Sequence, residues 1–179
     1  MTTDQVSTFL ALLAVVAELG AVTLAVTLLV RVVSPTTGWP RRVLGSVEPV
    51  ALVLAAAVAI VATLGSLYYS EVAHFPPCRL CWYQRICMYP LAPILAIAAG
   101  RRDRSVRWYA LPLVLVGACL STWHILVEHF PSLESGACDP LNPCSIVWVE
   151  KFGYLTIPAM ALSGFAAIGL LLAVPRESP

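Results

Sequence analysis

The chain has 179 residues, 59% of them hydrophobic and 12% charged, with a net charge of +1 and a mean hydropathy of +0.84. An ordinary soluble domain carries roughly 25% charged residues, so a soluble enzyme, a coiled coil and a disordered tail are excluded, and the apolar runs point to a multi-pass protein of the lipid bilayer. The densest basic feature is four arginines between residues 101 and 107. It is too small a footprint for nucleic acid and serves as a marker of topology.

Five apolar windows are expected to be membrane helices. The first, Phe9–Val33, follows a stretch with no basic residue that carries Asp4, and it is too long for the core of a cleavable signal, so an uncleaved helix is expected. Glu18 lies in mid-span there; it is either a functional carboxyl group or a hydrogen-bonded side chain that faces the bundle and serves packing. The second window, Pro49–Tyr69, spans 21 residues, and at ~1.5 Å per residue this is about the thickness of a hydrocarbon core. The third, Trp82–Ala99, carries Pro90 and Pro93 and is expected to kink. Trp108–Val127 and Leu155–Val174 complete the set.

Basic residues mark the cytoplasmic side. Arg31, Arg41, Arg42, Arg101, Arg102, Arg104, Arg107 and Arg176 gather at one set of helix ends, against Arg79, Arg85 and Lys151 at the other. Residues 34–48, 100–107 and the C-terminus are therefore expected in the cytoplasm, and the N-terminus, residues 70–81 and residues 128–154 outside.

Four of the six cysteines fall on that outer face. Cys78 and Cys81 form a Cys-x-x-Cys where the third helix begins, after Pro76 and Pro77. In a first helical turn, unsatisfied N–H groups and the positive dipole end favour a thiolate, and residues three apart can bond to one another. Arg85, four residues after Cys81, adds a positive charge on that face or simply snorkels to the interface. A redox dithiol, a structural disulfide and half of a zinc site all fit the pair. Cys138 and Cys144 bracket Asp-Pro-Leu-Asn-Pro in a tight polar turn, as an exchanging disulfide or as a loop staple. A four-thiolate zinc site fits poorly, because the second pair encloses five residues and two spans separate the pairs. Cys87 and Cys119 are expected as small buried hydrophobes, and His74 and His129 as solvated residues.

Two segments resemble the DsbB and BdbC family of quinone-dependent thiol oxidases of bacterial membranes. They are Cys78-Arg-Leu-Cys81-Trp-Tyr-Gln-Arg85, and Cys138-Asp-Pro-Leu-Asn-Pro-Cys144-Ser with Phe152-Gly-Tyr-Leu-Thr-Ile-Pro158. The resemblance covers about residues 45–174. In the vitamin K epoxide reductase fold the loop pair comes first, the reverse of the order here. The resemblance implies an all-α membrane protein, a four-helix transmembrane bundle over residues 45–179 preceded by one extra helix within residues 1–44.

It further implies that a separate thioredoxin-like oxidase of the DsbA type meets Cys138 and Cys144, with Cys138 the point of mixed-disulfide formation. Electrons then reach Cys78 and Cys81 and leave on ubiquinone or menaquinone, with Arg85 stabilising charge and His124 donating to a quinone carbonyl or simply packed. The implied location is the bacterial cytoplasmic membrane with the cysteines on its outer face. Trp148 and Phe152 belong either to a short interfacial helix within Ser145–Phe152 or to an aromatic belt. The rival is a non-catalytic membrane subunit or transporter whose outer loops carry two structural disulfides.

Overall fold

The computed structural model of the protein describes residues 2–34, 36, 38–134 and 138–175. Arg176, counted above for topology, lies outside the described residues. The chain is a bundle of long helices: α1 (Thr3–Val33), α3 (Ala51–Leu67), α4 (Arg79–Arg101), α5 (Arg107–His129) and α6 (Ile157–Ala173), with a short α2 (Trp39–Val47) leading into α3. Between α5 and α6, β1 (Glu150–Lys151) pairs antiparallel with β2 (Leu155–Thr156). The stretches Thr3–Val33, Trp39–Val72 and Arg104–His129 are long and apolar enough to cross a membrane, and Ile157–Ala173 is apolar but shorter. Helix α4 runs unbroken through Pro90 and Pro93 for 23 residues, about 35 Å at 1.5 Å per residue.

Helix α6 packs against α1, α3 and α5, and α4 closes the bundle between α3 and α5. The shared core joins Ala55 and Ala59, Leu91 and Leu95, and Phe165 and Ile168. Gly117 of α5 makes room for the fully buried Phe165 ring, which occupies the space a β-carbon would need. Helix α1 starts with a capping box between Thr2 and Gln5 and turns Leu12, Leu19 and Val22 outward, more than half exposed. In water that face would be a defect; in lipid it needs no partner.

At the end of the bundle away from the Cys-x-x-Cys, Arg104 pairs with Glu48 and donates from Nη2 to the Val174 carbonyl at 2.7 Å. This joins the starts of α3 and α5 to the end of α6.

Several expectations are corrected. The segment Ser145–Phe152 forms no interfacial helix; it ends in β1 and turns back through Phe152 and Gly153, both at positive φ (55° and 78°), into β2. The fifth window therefore opens as strand, and α6 begins at Ile157 with Pro158 in its first turn, where a missing N–H costs nothing. Helix α2, with Pro40 in its first turn, was not expected within residues 34–48. Cys87 is buried as expected, but Cys119 is exposed on α5.

Candidate redox site

Pro76 and Pro77 lead into Cys78, the N-cap of α4, whose backbone is extended (φ −68°, ψ 172°) and whose sulfur accepts the Cys81 N–H at 3.3 Å. The two sulfurs lie 3.0 Å apart as free thiols. The hydrogen bond from Cys81 holds the Cys78 thiol well below the ordinary thiol range, helped by His124 and the Cys81 N–H and opposed by burial.

His124 of α5 is 2% exposed. Its Nδ1 lies 3.0 Å from the Gln84 amide nitrogen, which can only donate, so Nε2 carries the proton. That Nε2 is 3.1 Å from the Cys144 carbonyl oxygen and 3.7 Å from the Cys78 sulfur. The imidazole thus stands between the two cysteine pairs.

Cys138 and Cys144 form a disulfide with Cα atoms 5.9 Å apart. Three side chains hold their loop. Asp139 Oδ1 accepts from the Leu141 N–H at 2.9 Å, Asn142 Nδ2 donates to the Pro77 carbonyl at 3.1 Å, and Glu134 accepts from the Cys144 N–H and, at 2.8 Å, from Ser145 Oγ. Cys78, Cys81, Cys138 and Cys144 consequently pack in one cluster with Leu80 and Val127, although two long helices separate the pairs in sequence.

On another side of Cys81 lies an apolar cavity of about 360 Å³ between α1, α3, α4 and α6. Cys81, Gln84 and Arg85 line it, with Tyr69, Phe75 and Trp148. These rings stack in series, Tyr69 on Phe75 at 5.9 Å and Phe75 on Trp148 at 5.2 Å. Tyr69 is brought there by a π-helical turn, Tyr68–Val72, that ends α3. Arg85 is 8% exposed; it donates to the Ser66 carbonyl at 3.0 Å and lies over the rings of Trp82 and Tyr89 at 5.3 and 5.9 Å. His124 is not among the residues lining this cavity.

His74 and His129 are exposed. Cys78, Cys81 and His124 offer three ligand atoms within 4.8 Å of one another, but Cys138 and Cys144 are bonded to each other, so no four-thiolate zinc set is assembled. Gln84, Glu134 and Asn142 escaped the sequence reading. Gln84 alone carried a signal, standing three residues after Cys81 on the same helix face.

The family profile described as disulfide bond formation protein DsbB matches residues 48–175. "Probable disulfide formation protein C" of Bacillus cereus is 42% identical over 121 residues, 67% of this chain and 87% of that protein. "Disulfide bond formation protein C" of Bacillus subtilis is 46% identical over 112 residues, 62% and 81% of the two chains. A "probable disulfide formation protein" of Coxiella burnetii is 47% identical over 106 residues, 58% and 72%. No solved structure matches.

Proposed function

Because the chain belongs to the DsbB family of disulfide bond formation proteins and is thus a membrane thiol oxidoreductase, we propose that it reoxidises an extracytoplasmic DsbA-type partner and passes the electrons to membrane quinone. The observation that carries this reading is the packing of both cysteine pairs into one cluster, with Cys81 also lining an apolar, aromatic-rich cavity. Residues 45–179 form the family bundle in this reading and residues 1–44 an addition to it.

A thiolate of the partner attacks Cys138, which is partly exposed where Cys144 is 1% exposed. The Cys138–Cys144 bond breaks and its electron pair stays on Cys144. The partner's second thiolate then attacks the mixed disulfide, leaving the partner oxidised and Cys138 and Cys144 as a dithiol. With Cys78 and Cys81 in their disulfide form, Cys144, across His124 from Cys78, attacks Cys78 and the electron pair moves to Cys81. Cys138 attacks Cys144 and expels Cys78, whose lowered thiol makes it a good leaving group. The outer disulfide is restored, and two electrons and two protons rest on Cys78 and Cys81.

The cavity fits a quinone, since it is apolar, lined by aromatic rings and furnished beside Cys81 with Arg85 and Gln84 as donors. Bound there, a quinone supplies the two-electron, two-proton acceptor that returns Cys78 and Cys81 to a disulfide. Arg85, fixed by the Ser66 carbonyl and two rings, places its charge where an oxygen anion develops. His124 holds Cys78 and the Cys144 carbonyl in register.

Replacing both Cys144 and the partner's second cysteine by Ser removes the two thiols that can resolve the intermediate and is expected to trap a mixed disulfide between Cys138 and the partner, seen as a reductant-sensitive adduct on a gel. No adduct, together with cysteines that stay fully oxidised when quinone is withdrawn, would return the pairs to a structural role. The mass of the quinone that co-purifies decides between ubiquinone and menaquinone.

A further inference from the structure

Helix α1 lies outside the residues matched to the family and carries none of the cysteines. Yet Leu10, Leu13, Ala14 and Ala17 of α1 line the same cavity as Cys81 and Arg85. The helix is fastened there by polar contacts as well as by packing. Glu18, next to Ala17, accepts from Ser163 Oγ of α6 at 2.7 Å and from the Tyr154 hydroxyl at 2.8 Å. Asp4, one helix end away, pairs with Lys151 of β1. Leu10 sits on Gly65 of α3, where a β-carbon would stand 3.1 Å from its Cδ1.

A carboxyl group in an apolar span is costly unless its oxygens are engaged. Both Glu18 oxygens find donors only while α1 lies against α6 and the β1–β2 hairpin, so lateral release would leave a polar group facing lipid. Glu18 therefore fixes the depth and rotation of α1, and the small Ala14 and Ala17 leave open the volume behind them.

We infer that α1 is a wall of the quinone site, with Leu13 and Ala17 contacting the bound molecule and Glu18 the positioning residue that seats the wall. The inference rests on the quinone reading of the cavity. Ubiquinone-1 is titrated into the full-length protein in nanodiscs, and binding is read from quenching of tryptophan fluorescence, Trp148 being in the cavity lining. Ala17→Phe, which puts a ring into the cavity, is expected to raise Kd about tenfold, which corresponds to about 1.4 kcal/mol.

Leu13→Ala, which strips lining away, and Glu18→Ala should each raise Kd about threefold, while Glu18→Gln, which can still engage both hydroxyls, stays within twofold of the parent. Reduction of Cys138–Cys144 by a partner dithiol without quinone should run at the parental rate in all four, a readout that general damage to the fold would lower. If the parent binds and Ala17→Phe and Leu13→Ala bind equally well, α1 is no wall and the quinone reading survives. If the parent itself binds no quinone, both fall.

Discussion

Cys78 caps α4 with its own sulfur, and the Cys81 thiol, His124 and the Cys81 N–H favour its anion against the burial that opposes it. The anion is the form that reacts, and a lowered thiol loses it only as pH falls through that lowered value. In the reduced protein, alkylation of Cys78 by iodoacetamide should stay nearly constant from about pH 6 to 9, whereas an ordinary thiol slows about tenfold per pH unit below its value near 8.5. Peptide mass spectrometry of timed samples measures this, and a tenfold-per-unit profile refutes it. His124→Phe should move the profile upward, because the Nε2–H contact that favours the Cys78 anion is lost. The place of Cys78 at the start of α4 was legible because Pro76 and Pro77 precede it. The setting of His124 was not: Gln84 is 40 residues away and Cys144 20, and only the fold joins them. The same holds for Glu18, whose donors lie 136 and 145 residues along the chain.

Among the elements, the tightest fit is that of α5 on α6 at Gly117 and Phe165. Gly117→Ala should destabilise the bundle by about 1–3 kcal/mol through overpacking, read as a lower Tm in detergent, and Phe165→Leu in the same chain should recover part of the loss. A Tm unchanged by the single variant would show that the two helices have slack there. Hydropathy located the long helices because each carries an apolar stretch, weakest in α4, where Gln84 and Arg85 interrupt it while Pro90 and Pro93 leave the helix intact. It missed α2, nine residues long, and could not tell an interfacial helix from an aromatic belt over Ser145–Phe152, where the chain forms no helix. A pairing of two residues with two has no periodicity to detect, and its turn depends on positive φ at a phenylalanine as well as a glycine.

For the whole molecule, the arginine imbalance predicts which side each end of the bundle faces. In a background without native cysteines, Leu141→Cys, at a loop tip 95% exposed, should label with impermeant maleimide in intact cells, and Arg102→Cys only after permeabilisation. Labelling at 102 in intact cells overturns the orientation. The disulfide beside Leu141 closes only six steps of chain, so loop-closure entropy assigns it about 2.2 kcal/mol. Asn142 on the Pro77 carbonyl and Glu134 on the Cys144 N–H hold the same loop without using either sulfur. The bond can therefore open in every cycle while its loop keeps its seat, and the molecule resets like a latch on a fixed frame, with no refolding between one turnover and the next.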